Sequence, residues 1–278
     1  MLKKLAIAAS LLAMFGSANA YNYEVQAGYE KTDMDFNVDA NTYSLNGKYY
    51  FDDVATSGPL AESAFLEKVS NVGVGYAKSS MDLDVADYDI QTYGVRGELF
   101  IPNTNFFVGA SVNQVQYKLK IDDYGDEKLD QTGYAVEVGY LPVDGLLVAA
   151  GIAKNNLDST AVAKNGFYDS TMSVVDAGDN KTAGTFRAKY VTQIGNYWTN
   201  FEGSTIFGDE TSYRLGADFY FNPTLSLGVS YADSSADDSE SLYGVHAQKF
   251  FGEKAAVGLS YTTADGIDAY GVNATFRF

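Results

Sequence analysis

Ala269-Tyr270-Gly271-Val272-Asn273-Ala274-Thr275-Phe276-Arg277-Phe278 closes the chain, and its side chains alternate in character. Tyr270, Val272, Ala274, Phe276 and Phe278 fall on one face of an extended strand, with Asn273, Thr275 and Arg277 on the other. Successive side chains of a strand point to opposite faces, so this period of two marks a strand with one apolar and one polar side.

The same alternation recurs upstream. Tyr23, Val25, Ala27 and Tyr29 share a face, as do Tyr43, Leu45, Gly47, Tyr49 and Phe51, and then Tyr93, Val95, Leu99 and Ile101. It continues through Tyr134, Val136, Val138 and Tyr140, through Phe186, Ala188 and Tyr190, and through Tyr213, Leu215, Ala217, Phe219 and Phe221. The run 106–121 changes phase. Phe106, Val108, Ala110 and Val112 lie on one face, and Val115, Tyr117, Leu119 and Ile121 on the other. This predicts either a bulge near Asn113 or a strand end projecting beyond the membrane. About 14 strands result, with 12 to 16 open, each near the ~9–11 residues a tilted membrane strand needs.

The connections alternate too. One set is short or holds proline: 52–67, Pro102-Asn103-Thr104-Asn105, Pro142-Val143-Asp144-Gly145, Gly195-Asn196, Asn222-Pro223-Thr224 and Gly252-Glu253. All 4 prolines of the chain are in it. The other set gathers most of the 36 acidic residues, with Asp122, Asp123, Asp126, Glu127 and Asp130 the densest group. An up-and-down antiparallel barrel with an even strand number has such a tight end and such a loop-rich end. In lipid the barrel must close, because an open edge leaves unpaired backbone groups that each cost several kcal/mol. Tyr23, Tyr29, Tyr43, Tyr49, Tyr76, Tyr93, Tyr134 and Tyr140 sit near strand ends, where an interfacial aromatic girdle belongs.

Composition removes other classes. The 278 residues hold no Cys and one His, with a formal net charge of -17. That excludes disulfides and thiolate sites and leaves little for a metal centre. The acidic balance argues against nucleic acid as a partner. No G-x-S-x-G, phosphate-binding loop or nucleotide fingerprint occurs, so no catalytic residue, cofactor or metal ligand is assigned. The Asp122–Asp130 group lacks the spacing of a calcium loop.

Lys3 and Lys4, the apolar run Leu5–Phe15 and Ala18-Asn19-Ala20 read as a secretory signal peptide over residues 1–20. The expected mature domain is 21–278, exported through the periplasm.

The closing strand, with Gly271, Ala274, Phe276 and Phe278, resembles that of Gram-negative outer-membrane proteins, whose terminal aromatic is read by the barrel-assembly machinery. Gly58-Pro59-Leu60-Ala61-Glu62-Ser63-Ala64-Phe65-Leu66 resembles a periplasmic turn of the general bacterial porin family, and reads locally as a short helix or extended turn tucked under the barrel. Tyr190-Val191-Thr192-Gln193 and Leu215-Gly216-Ala217-Asp218-Phe219-Tyr220-Phe221 are similar to strands of that family. The resemblance runs over most of 21–278 and fades in 155–181. It implies an outer-membrane channel passing ions and small hydrophilic solutes, with lipid and lipopolysaccharide around it and a homo-oligomer open to it.

On such a barrel the expected inward face carries Lys48, Arg96, Arg187, Lys189, Arg214 and Arg277 against Glu24, Glu98, Glu137, Glu202 and Asp218, with His246 among them. They read either as solvated pairs across neighbouring strands or as opposed arcs of charge that orient solutes. Arg187, Lys189, Glu202, Arg214 and Asp218, on three consecutive strands, form the best candidate cluster. The segment 155–181 reads as a constriction, an outward loop or strand extensions. The acidic loops predict weak cation preference over about a Debye length, ~8 Å. A plugged surface barrel and a soluble secreted β protein stay open as alternatives.

Overall fold

The computed structural model describes residues 20–35, 38–83, 86–121, 125–154, 182–208, 211–235 and 239–278. The signal-peptide residues 1–19, the segment 155–181 and several carboxylates of the acidic connections lie outside the described residues.

Among the described residues, fourteen strands form one closed antiparallel barrel: β1 (Ala20–Met34), β2 (Val38–Ala55), β3 (Asn71–Leu83), β4 (Ala86–Phe100), β5 (Phe106–Ile121), β6 (Gly125–Val143), β7 (Leu146–Lys154), β8 (Thr182–Ile194), β9 (Tyr197–Phe207), β10 (Thr211–Asn222), β11 (Leu225–Ser234), β12 (Leu242–Phe251), β13 (Ala255–Ala264) and β14 (Ile267–Arg277). Each strand pairs with its neighbours in sequence, and β14 returns to β1 in a register that sets Ala274 against Ala27 and Arg277 against Glu24. Closure leaves no edge strand, the condition for backbone in hydrocarbon.

Alternation sorts the side chains as expected. Tyr43, Leu45, Val74, Val138 and Leu259 are among the large apolar residues exposed on the outer face, while Asn46, Ser111, Thr275 and Asn273 are buried inside. Aromatic residues on the outer face pair across strands in two belts. Tyr23 stacks on Phe278 and lies beside Tyr49 at one end; Tyr29–Tyr43, Tyr231–Tyr243 and Tyr261–Tyr270 pair at the other. Ring centroids 5.0–5.4 Å apart in these pairs are in the range of favourable aromatic contact.

The bulge expected near Asn113 is absent. β5 runs in unbroken register against β4 and β6, with Asn113 opposite Gly94 and Gly133. β5 and β6 are 16 and 19 residues long, well beyond the ~9–11 that span lipid. The phase change therefore belongs to the projecting end. There the outer face no longer meets hydrocarbon and carries Gln116, bonded to Asp130, while Val115 packs inward. Register shifts occur instead at Tyr21/Tyr23, Tyr140/Val143 and Tyr220/Asn222, all at the end of the barrel that carries the short turns.

Short turns and both ends of the described chain lie at one end of the barrel, the periplasmic end by the usual asymmetry of such barrels. Gly145 lies in one of these turns, the two-residue link between β6 and β7. Its φ is +78°, and a Cβ there would lie 2.1 Å from the Val191 carbonyl oxygen. The connection from β2 to β3 behaves differently. It forms a 3₁₀ turn, Leu60–Glu62, and one turn of helix, α1 (Ser63–Leu66). Both fold into the lumen rather than lying beneath it.

Candidate functional site

Inward charges are held by carboxylate–cation pairs on the barrel wall. Arg277 Nε donates to Glu24 Oε2 at 2.7 Å, and Lys48 Nζ lies 3.7 Å from the other oxygen of that carboxylate. Arg96 pairs with Glu98 two residues along β4, and Asn71 donates to the same carboxylate at 3.0 Å. Arg187 Nη2 donates to Glu137 Oε1 at 2.5 Å, with both side chains buried. Lys189 lies opposite Glu202 in register, and their charges meet at 2.6 Å.

Two of these contacts cross an intervening strand. Glu137 on β6 reaches Arg187 on β8 over Ala149 and Gly151 of β7. His246 Nε2 on β12 meets Asp218 Oδ1 on β10 at 2.6 Å over Gly228 of β11. A Cβ on Gly228 would stand 2.2 Å from that Asp218 oxygen and 2.3 Å from that nitrogen, so a side chain there would separate the pair. The expected five-residue cluster is therefore divided. Lys189 and Glu202 meet, Arg187 turns to Glu137, and Asp218 turns to His246 and to Asn200. Arg214 shares the inward face of β10 with Asp218 and makes no ion pair among the described residues. Adjacent opposite charges of this kind largely cancel, so the lumen wall carries pairs rather than two opposed arcs.

The feature the sequence reading did not place is the segment 58–69 inside the lumen. Leu60 is buried against Phe250 and Ala256, and its amide donates to the Pro223 carbonyl at 2.8 Å. Arg277 Nη1 donates to the Leu60 carbonyl at 2.7 Å. Ala64 packs against Tyr21, Tyr50, Val54 and Val69. Phe65 packs on the cluster of Phe107, Leu141 and Leu147 and lies beside Phe100. These partners come from β1, β2, β4–β7 and β12–β14, from opposite sides of the ring. The segment therefore spans the periplasmic end of the lumen.

Glu62 stands in the middle of that span. Lys189 Nζ donates to its Oε2 at 2.9 Å and Tyr220 Oη to its Oε1 at 2.8 Å. Burial pushes its carboxyl above the ordinary range; Lys189 and the Tyr220 hydroxyl pull it back, and nearby Glu202 pushes it up further. Lys189 also lies over the Phe65 ring, 5.1 Å from its centroid. Above this floor is a cavity of about 280 Å³, whose lining includes Gln26, Lys48, Glu98, His246, Asn273 and Glu62.

The sequence profile described as putative general bacterial porin matches residues 2–278. The chain belongs to that family. Among solved structures, this porin superposes on the Acinetobacter baumannii outer membrane protein Omp33 with a TM-score of 0.68 at 31% identity, over 94% of this chain and 99% of that one. It shares its fold with the TodX deltaS2S3 mutant monoaromatic hydrocarbon channel (TM-score 0.55, 10% identity, 94% of this chain and 91% of that chain). The CymD monoaromatic hydrocarbon channel is also similar in fold (TM-score 0.54, 9% identity, 93% and 89%). No curated protein sequence matches the chain. The porin is thus a bacterial outer-membrane barrel, and the soluble reading falls.

Of the residues expected at the closing strand, Phe276 and Phe278 point outward, and Ala274 and Gly271 sit in the β1–β14 seam. A sequence signal for the lumen floor does exist. Tyr49-Tyr50-Phe51, Phe106-Phe107, Leu146-Leu147, Phe219-Tyr220-Phe221 and Phe250-Phe251 each interrupt the alternation. In every case one bulky member turns inward: Tyr50, Phe107, Leu147, Tyr220 and Phe250 are all buried.

Proposed function

We propose that this porin conducts ions and small hydrophilic solutes by passive diffusion, with a weak preference for cations, and carries out no covalent chemistry. The observation that carries the cation preference is the distribution of charge. Basic side chains of the lumen wall are largely occupied by carboxylates, whereas the extracellular rim holds acids in excess. Lys31 there is already shared between Asp33 and Asp39, and Lys78 is engaged by Asp89. The unbalanced field at the mouth is negative and reaches about a Debye length, ~8 Å, into solution.

Export by the leader 1–20, recognition of β14 by the assembly machinery through its terminal aromatic, and a lipopolysaccharide-facing rim complete the reading. Reversal potentials across planar bilayers in a dilute KCl gradient test it. A cation-signed potential is expected, and an anion-signed one overturns the preference. A closed surface barrel is the second reading, favoured by the segment across the periplasmic end; silence at every voltage would support it.

A further inference from the structure

We propose that the segment Pro59–Leu66 is the filter of this channel and that Glu62 is its selectivity-determining charge. The inference rests on the channel reading above.

Other turns at this end need only a few residues: Asp144 and Gly145 alone join β6 to β7. The β2–β3 connection uses a stretch many times longer and sends its apolar residues inward. The barrel wall provides a matching seat. Strands that alternate elsewhere break their alternation at this level, and the inward Tyr50, Phe107 and Phe250 pack against Ala64, Phe65 and Leu60. Inward aromatic residues would be exposed to lumen water without the segment, which is unfavourable in proportion to the apolar surface left uncovered. Seat and segment are therefore one construction. Ser63, fully buried, braces it by donating to the Ser57 and Pro59 carbonyls at 3.2 and 3.3 Å.

Apolar contacts anchor both flanks of the segment, while its centre presents a carboxylate to the cavity. Glu62 and Glu202 share Lys189, two acids to one base. Glu62 lines the cavity, and on this proposal a solute leaving toward the periplasm passes beside it. Its charge acts over a few ångströms, where salt screens little, unlike the rim charges. Small cations, and the cationic ends of zwitterionic solutes, are the class it favours.

The test compares wild type, Glu62→Gln and a variant whose residues 60–66 are replaced by a short Gly-Ser linker, each refolded and checked for the heat-modifiable gel mobility of a closed barrel. Single-channel conductance and reversal potential are read in KCl gradients at about 0.1 M and about 1 M. The linker variant should conduct several-fold more than wild type. Glu62→Gln should conduct less than wild type at neutral pH, as acidified wild type does, and its K⁺/Cl⁻ permeability ratio should fall roughly threefold, a loss that persists at ~1 M salt where rim effects are screened. If the linker variant fails to close, Phe65→Ala, which widens the same floor, takes its place with a smaller rise expected. Unchanged conductance in the widened variant, or an unchanged permeability ratio in Glu62→Gln, overturns the filter while leaving the channel reading intact. A silent wild type beside a conducting linker variant also overturns it, making the segment a plug. Silence in all variants removes the channel reading and the filter with it.

Discussion

The two ends of the barrel are built from the same alternating strands, yet they meet different demands. At the periplasmic end the turns are tight, aromatic residues turn inward as well as outward, and Arg277 lies between the rings of Tyr21 and Phe250, 4.5 and 4.7 Å from their centroids. At the extracellular end β5 and β6 run past the membrane, and carboxylates are held by hydroxyls: Tyr231, Tyr213 and Ser241 all donate to Asp233. Apolar packing on a folded-in segment fixes one end, whereas exposed polar contacts, individually weak and screened by salt, dress the other. Structural sensitivity should therefore concentrate at the periplasmic end and salt-dependent electrostatics at the extracellular end.

The largest effect is expected inside the lower barrel. Glu137→Ala leaves Arg187 buried without its carboxylate and should destabilise the barrel by on the order of 3–5 kcal/mol in urea unfolding in detergent. A double replacement by apolar residues of similar volume should restore most of that stability, since uncompensated charge rather than lost attraction is the main penalty. Full stability in Glu137→Ala alone would mean water reaches Arg187 freely.

Next come the turns. Gly145→Ala must relieve a 2.1 Å contact with the Val191 carbonyl as well as a φ of +78°, whereas Gly195, at φ +62°, has open space around it. Gly195→Ala should cost roughly 1–2 kcal/mol for its backbone alone, and Gly145→Ala distinctly more. Equal losses in chemical denaturation would show that backbone conformation, not the contact, is limiting.

A pH effect follows from the raised pKa of Glu62, which is faced by Lys189 from β8, Glu202 from β9, Tyr220 from β10 and, farther off, Tyr21 from β1. The seated segment holds this proton more tightly than an unseated one. Protonation therefore favours seating: that contribution is fully present below the ordinary carboxylate range and is lost as pH rises through the raised value. Single-channel conductance of wild type should decline on acidification from about pH 7 to about pH 4, with Glu62→Gln flat over the same window. A rise in acid would contradict the assignment.

At the other end, Asp233→Asn should change stability by less than about 1 kcal/mol. Its measurable consequence is a small drop in cation preference in dilute salt that disappears at high salt. A large stability loss there would erase the contrast between the ends.

Much of the barrel is written in local order. Tyr43, Leu45 and Tyr49 announce their outward face without any tertiary knowledge, and the alternation of proline turns with acidic loops already implies an even number of strands. What local order leaves open is distance across the ring. Glu137 and Arg187 meet only because β7 has Ala149 and Gly151 between them, and His246 finds Asp218 only across Gly228. Such pairs depend on register over three strands. Residues 58–66, mostly apolar around Glu62 and Ser63, fit either location by composition, beneath the barrel or within it. The inward seat that draws them in is spread over Tyr50, Phe107, Leu147, Tyr220 and Phe250, each visible in the sequence only as a doubled bulky residue. The phase change after Asn113 left a bulge and a projecting end equally open for a related reason: period two reports which face is apolar, but not whether that face meets lipid.

Conductance of the purified, folded porin in a planar bilayer, with a dilute KCl gradient across it, tests the account most directly. Discrete ohmic steps with a reversal potential of cationic sign are the expected result; a barrel silent at all voltages, or one whose reversal potential has anionic sign, would contradict it.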